Sequence, residues 1–439
     1  MSALAQEIIV DPNKLSQASE LQKMVIKGGN ELNGRIRISG AKNAALKHMV
    51  ACLLTDEPVN LENCPVNLGD IKMQAAVLKT LGAEVVLRED GMAMIHAKAI
   101  ESHVAPYDLV RKMRASVLIL GPLLARYGKA EVSLPGGCAI GTRPIDMHLD
   151  ALSLMGAEIK LDGGYVKAEA PNGLKGAEIN FSKVSVGATE NIMMAATLAK
   201  GVTIINNAAR EPEIVDQGEA LIKMGAKIEG LGTARLVIEG VEKLHGITHE
   251  IVPDRIEAGT YMIAVAMTGG KVVLENVRPE HLTTLIGPLK EAGMHIEQDG
   301  KDLIVERNGV DLKGFDIMTE PHPGFPTDLQ AQLMSLMTIC KGAGMITETI
   351  FENRFMHVPE LIRMGAEITV HGNSALVRGV SGLKGAEVMA TDLRASVALV
   401  LAGLVAEGET VVNRIYHLNR GYEKLVEKLS ACGADIRLA

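Results

Sequence analysis

One short pattern recurs along the whole chain and limits what the chain can fold into: an apolar helix end, a glycine, a small or apolar residue, then a short alternating strand. It reads Leu81-Gly82-Ala83-Glu84-Val85, Met155-Gly156-Ala157-Glu158-Ile159, Met224-Gly225-Ala226-Lys227-Ile228, Ala292-Gly293-Met294-His295-Ile296, Met364-Gly365-Ala366-Glu367-Ile368 and Cys432-Gly433-Ala434-Asp435-Ile436. The glycines at 82, 156, 225, 293, 365 and 433 lie 74, 69, 68, 72 and 68 residues apart, which means six copies of one unit. Each glycine ends a helical pattern and precedes a strand, where a left-handed cap suits a residue without a Cβ. The strands alternate, as in Glu158-Ile159-Lys160-Leu161, so each offers one apolar face for a helix to cover.

Upstream of each glycine the sequence predicts a small-residue helix, over 43–54, 114–125, 191–199 and 394–406 for example, followed by a strand such as Val202-Thr203-Ile204-Ile205. Helices this rich in Ala and Leu, polar mainly in their first turn, are buried on nearly all sides. The unit is therefore an α/β one: strand, buried helix, strand, outer helix, two strands.

The starts of these helices carry charge. They include Ala41-Lys42-Asn43, Met113-Arg114-Ala115-Ser116, Thr327-Asp328-Leu329 and Thr391-Asp392-Leu393-Arg394. Capping accounts for Asp392, because a carboxylate suits the positive end of a helix. It does not account for Lys42, Arg114 or Arg394. A cation beside free helix N–H groups is what a bound anion requires.

Two segments carry candidate chemistry. Leu134-Pro135-Gly136-Gly137-Cys138-Ala139-Ile140-Gly141-Thr142-Arg143-Pro144 is a turn-rich loop, and a cysteine there with Arg143 nearby acquires thiolate character. Cys52 and Cys340 lie in apolar helical runs and are expected to be plain core residues. In Pro321-His322-Pro323-Gly324-Phe325-Pro326-Thr327-Asp328, three prolines stiffen the approach to a helix, and a general base needs such fixed placement. As a lone residue, Asp328 also fits a helix cap.

Other classes lose ground. With 45 Lys+Arg against 53 Asp+Glu, a net charge of −8, no Trp and 3% aromatic residues, neither an electrostatic grip on nucleic acid nor a stacking platform is expected. The longest apolar stretches are too short for a membrane span, and the N-terminus lacks a signal pattern, so no membrane association and a cytoplasmic location are expected. Five cysteines without a CxxC pair fit a reducing compartment. No phosphate-binding GxxxxGK[ST] or dinucleotide GxGxxG occurs, and no His/Cys/Asp/Glu set has metal-ligand spacing.

From about Met24 to Ala439 the chain closely resembles the bacterial UDP-N-acetylglucosamine enolpyruvyl transferases (1-carboxyvinyltransferases). The matching motifs are Ile38-Ser39-Gly40-Ala41-Lys42-Asn43-Ala44-Ala45-Leu46, the Gly136–His148 loop, Lys183-Val184-Ser185-Val186-Gly187-Ala188-Thr189, Pro253-Asp254-Arg255-Ile256-Glu257-Ala258-Gly259, Pro323–Gln330, Glu352-Asn353-Arg354-Phe355, Thr391–Ser396 and Asn419-Arg420-Gly421-Tyr422-Glu423. The resemblance implies a two-lobed inside-out α/β barrel with three repeats per lobe: an N-terminal extension at 1–23, lobe I at 43–252, lobe II at 24–42 plus 253–439, and the active site in the cleft between lobes. It implies transfer of the enolpyruvyl group of phosphoenolpyruvate to the 3′-hydroxyl of UDP-N-acetylglucosamine with release of phosphate, the first committed step of peptidoglycan synthesis. Cys138 would protonate phosphoenolpyruvate and can bond to it. Asp328 would take the proton of the sugar hydroxyl, and Lys42, Arg114, Arg143, Arg394 and Arg420 would hold phosphate and carboxylate. Asn43, Lys183, Ser185, Val186, Gly187 and Ile350 would contact the UDP-sugar, with Arg354 ordering the closed site. The chemistry needs an acid, a base and cations around a trianion, and no cofactor or metal. A monomer or weak homo-oligomer is expected.

Three departures stand out. Residues 1–23 precede the usual start, Lys47-His48 replaces an expected proline-containing continuation, and Cys64–Lys72 matches poorly and receives no substrate role. Two alternatives stay open: a shikimate-pathway enolpyruvyl transferase, which shares the fold but not the Cys138 loop, and a non-catalytic repeat scaffold.

Overall fold

A computed structural model describes residues 6–8, 22–110, 114–134 and 145–439, the side chains of 114 and 115 excepted. These residues divide into two compact units, one formed by 6–8, 40–134 and 145–252 and the other by 22–39 and 253–439. The division places Lys42 in the first unit.

Each unit contains three four-stranded sheets of one design. In the third repeat, Glu178–Asn180 pairs parallel with Val202–Asn206, which pairs antiparallel with Arg235–Glu239, which in turn pairs antiparallel with Lys227–Glu229. A buried helix connects the parallel pair, and an outer helix precedes the hairpin, so the order read from the sequence holds. The sheets remain six separate ones, and among the described residues they do not merge into a closed barrel.

The repeats of each unit close by borrowing strands. In the first, Thr248–Glu250 returns to pair with Val59–Glu62, with His249 opposite Leu61. In the second, Leu32–Arg37 supplies the parallel edge beside Gly270–Glu275, while Met24–Lys27 sits between Glu409–Asn413 and Asp435–Leu438. All six periodic glycines adopt positive φ, from 95° at Gly156 and Gly365 to 117° at Gly293.

The buried helices are α1 (Lys42–Ala51), α2 (Leu120–Tyr127), α3 (Val186–Ala196), α4 (Arg255–Thr268), α5 (Gln330–Met337) and α6 (Ala395–Val405). In α6 every residue from Ala395 to Leu404 is buried, as a helix wrapped by other elements requires. Removing one such side chain, Leu399→Ala for instance, costs about 2–5 kcal/mol.

Two helix starts differ from the sequence reading. Residues Arg114–Ile119 form a 3₁₀ segment, and α2 begins only at Leu120. Pro122 lacks the N–H that would bond Leu118 and crowds that carbonyl, so it must lie in the first turn of an α-helix. α3 begins five residues earlier than expected because Ser185 caps it, its hydroxyl accepting from the Ala188 N–H at 3.3 Å.

Candidate active site

In the second unit the structure gathers the acid and arginine residues that lie far apart in sequence. Asp328 belongs to a 3₁₀ turn, Thr327–Leu329, leading into α5. Arg354 donates to Asp328 Oδ1 at 2.7 Å, and Arg394 Nε stands 3.5 Å from Asp328 Oδ2. Arg394 also donates to the Gly421 carbonyl at 3.2 Å and places Nη2 3.6 Å from Asp254 Oδ2. Gly421 follows Arg420, so the backbone beside that cation belongs to the same group.

Arg394 is 2% exposed. Burial works against its charge, but Asp254, Tyr422 and Asp328 outweigh it and hold the guanidinium pKa above the usual arginine value. The two carboxylates offset the cost of burying this cation. At the start of α6, Asp392 Oδ1 accepts from the N–H groups of Arg394 and Ala395, each at 2.9 Å, which is the capping role expected of it.

The support beneath Asp328 is polar and buried. The Gln332 amide nitrogen lies 2.8 Å from the Asp328 carbonyl, 3.0 Å from the Tyr422 hydroxyl and 3.1 Å from Thr260 Oγ1, its two N–H groups shared among the three oxygens. Thr260 and Tyr422 are themselves 3.1 Å apart, and burial pushes the Tyr422 phenol up to about 12. The Ile350 backbone is fixed by the same neighbourhood: Glu348 accepts from the N–H groups of Ile350 at 2.8 Å and Phe351 at 3.1 Å and from the Thr327 hydroxyl at 2.9 Å. Neither Gln332 nor Glu348 is visible as a site residue in the sequence, since each acts through contacts made only on folding.

In the first unit, Lys42 is the first residue of α1 and lies 3.3 Å from Asp70 Oδ2, both side chains 8% exposed. Asp70 falls in the 64–72 stretch that received no role, so its place beside a candidate anion-binding lysine emerges only here. Ser185, Val186 and Gly187 form the start of α3, with Lys183 exposed just before it.

His148 completes this second group. Asn191 Oδ1 accepts from the Gly121 N–H at 2.9 Å, which turns the Asn191 amide nitrogen toward His148 Nδ1 at 3.1 Å. Nδ1 is then an acceptor, and the proton of the neutral ring sits on Nε2. That nitrogen lies 3.4 Å from where a Cβ at Gly187 would be, so an N–H donor is presented at the α3 N-terminus. Burial holds the His148 pKa down at about 4, which keeps the ring neutral at ordinary pH.

Cys138 and Arg143 lie outside the described residues, as does the side chain of Arg114. Cys52 and Cys340 are buried free thiols, as expected, and burial pushes the Cys340 thiol up to about 11.

A family model described as EPSP synthase (3-phosphoshikimate 1-carboxyvinyltransferase) matches residues 26–429. The solved structure of the enolpyruvyl transferase NikO from Streptomyces tendae superimposes with a TM-score of 0.85 at 25% identity, covering 96% of this chain and 99% of that one. EPSP synthase from Acinetobacter baumannii, 20% identical with a TM-score of 0.72 over 95% of this chain and all of that one, shares the fold. The fold is that of the enolpyruvyl transferases. The UDP-N-acetylglucosamine 1-carboxyvinyltransferases of Paramagnetospirillum magneticum and Rhodospirillum centenum are 58% and 60% identical, each over 95% of this chain and 98% of its own length. The chain belongs to the UDP-N-acetylglucosamine 1-carboxyvinyltransferase family.

Proposed function

We propose that the protein transfers the enolpyruvyl group of phosphoenolpyruvate to the 3′-hydroxyl of UDP-N-acetylglucosamine and releases phosphate, the entry reaction of peptidoglycan synthesis. The observation that carries the residue assignment is the Asp328 carboxylate held between Arg354 at 2.7 Å and Arg394 at 3.5 Å.

Asp328 takes the proton of the sugar hydroxyl as its oxygen attacks C2 of phosphoenolpyruvate. Cys138 gives a proton to the methylene carbon, so the addition needs no free carbanion. In the second stage the Cys138 thiolate takes a proton back from C3, the vinyl double bond re-forms and phosphate departs, the hydroxyl proton staying on Asp328 until it is passed to the released phosphate or to water. Arg394 and Arg420, together with Lys42, Arg114 and Arg143, hold the phosphate and carboxylate; Arg394 is set for this by a rigid buried surround that needs no rearrangement when charge shifts. Ser185, Val186, Gly187, Asn43, Lys183 and Ile350 contact the UDP-sugar. The His148 Nε2–H adds a donor at the α3 N-terminus, where the helix dipole also favours an anion. Arg354 keeps the base in place.

The competing acceptor is a shikimate phosphate, the one named in the description of the family model. Relatives near 60% identity are named for UDP-N-acetylglucosamine. Phosphate release with phosphoenolpyruvate and each acceptor in turn separates the readings. Turnover with UDP-N-acetylglucosamine alone is expected; turnover only with shikimate 3-phosphate, or with neither, would overturn the assignment. Activity in the cytoplasm as a monomer or weak oligomer, with no nucleic-acid or membrane partner, completes the reading; no helix of the described residues is long and apolar enough to cross a membrane.

A further inference from the structure

The Lys47-His48 departure leads to a cluster that the reaction does not use. His48 on α1, Asp216 on the helix Pro212–Lys223 and His249 on the closing strand Thr248–Glu250 converge, with their ligand-type atoms all within 4.8 Å of one another. Local spacing gave no hint of this, because 168 residues separate His48 from Asp216 and 33 separate Asp216 from His249. The side chains are 1%, 7% and 2% exposed. Both imidazoles point Nε2 at the same carboxylate, His48 at 2.7 Å from Oδ2 and His249 at 3.1 Å from Oδ1.

We propose that His48, Asp216 and His249 form a site for one divalent cation of the Zn²⁺ class. Two imidazole nitrogens and one carboxylate suit Zn²⁺, Co²⁺ or Ni²⁺ and not the all-oxygen preference of Mg²⁺ or Ca²⁺. Ligand atoms about 2.0–2.1 Å from a tetrahedral zinc lie roughly 3.3 Å apart. The two contacts with Asp216, at 2.7 and 3.1 Å, therefore need to open by about half an ångström or less, and the two imidazole nitrogens, which lie within 4.8 Å of each other, need to settle at that same spacing. On binding, each neutral ring moves its proton from Nε2 to Nδ1, with no net proton released. Lys223 Nζ now lies 3.2 Å from His249 Nδ1, so it must swing away, which its exposed position permits. The Val252 N–H, 3.4 Å from Asp216 Oδ2, steadies the carboxylate. The cation would staple α1, which carries Lys42 and Asn43, to the strand that closes the three repeats; it takes no part in enolpyruvyl transfer.

The test is titration of the chelator-treated full-length protein with Co²⁺, followed by displacement with Zn²⁺, together with thermal unfolding in each state. One equivalent of Co²⁺ with a nitrogen/oxygen-type visible spectrum and a Zn²⁺-dependent rise in Tm are expected. His48→Gln and Asp216→Asn should each weaken binding by about 100-fold or more, beyond what loss of an outer-shell partner does. Lys223→Met, a surface change that spares the fold, should tighten it. Absence of stoichiometric Co²⁺ binding, a thiolate-type spectrum, or equal affinity in wild type and Lys223→Met would overturn the proposal and leave the trio a hydrogen-bonded core network. The last variant keeps the test decisive if the buried substitutions fail to fold.

Discussion

The Arg354 guanidinium donates to Asp328 Oδ1 across 2.7 Å from a side chain that is 3% exposed. The two residues are 26 apart in sequence, and the bond holds one oxygen of the carboxylate while Arg394 faces the other. Such a charge-assisted contact positions a base more firmly than a helix cap would. Asp328→Asn keeps the shape and an accepting oxygen but cannot take a proton. Turnover should fall by about 10²-fold or more, with UDP-sugar affinity little changed. Steady-state phosphate release and calorimetric titration measure both, and near-normal turnover would remove Asp328 as the base.

Cys138 is assigned as a proton donor, and an obligatory nucleophile would behave differently. A carboxylic acid at that position can still donate a proton, whereas a methyl group cannot. Cys138→Asp is therefore expected to turn over and to resist thiol-alkylating epoxides, and Cys138→Ala to be severely impaired. Mass spectrometry after epoxide treatment, beside the phosphate assay, reads both effects; full activity in the alanine variant would exclude the residue from the reaction.

His148 makes the fold acid-sensitive. Its folded pKa of about 4 lies below the usual value of 6.5, so as pH falls the unfolded chain takes up the proton first. The stabilisation is complete above about pH 6.5 and is lost progressively toward pH 4, by about 3 kcal/mol in all. Urea denaturation across that window should show stability dropping with acid, and His148→Asn should flatten the slope by up to one proton. A residual slope is expected from His357, which burial also holds at about 4.

The periodic glycines are equivalent in backbone but not in surroundings. At Gly365, φ is +95° and a Cβ would meet nothing within 4 Å, so Gly365→Ala should cost about 1–2 kcal/mol for the left-handed conformation alone. At Gly82, φ is +106° and a Cβ would come within 2.9 Å of the Glu101 backbone nitrogen, which cannot turn aside as a side chain can. Gly82→Ala should cost at least ~1 kcal/mol more. Equal urea midpoints for the two variants would show that the cap conformation is the whole effect.

The repeat count, the order of elements within a unit and the burial of the small-residue helices were all legible in the sequence. They depend on local periodicity and on one glycine per unit, which the backbone reads over a few residues. The candidate residues Asp328, Arg354, Arg394 and Lys42 were legible too, as charges placed at helix starts or in motifs of a resembled family. Tertiary structure alone decided what those charges face. It brought Asp70 to Lys42, Asp254 to Arg394 and Gln332 beneath Asp328, and it set the His148 tautomer through Asn191. It also assembled His48, Asp216 and His249, where residue spacing had indicated no metal-type cluster. The physical reason is one of range: helix propensity and capping act within a few residues, whereas ion pairs and shared donors act between side chains whose separation along the chain carries no information about their distance in space.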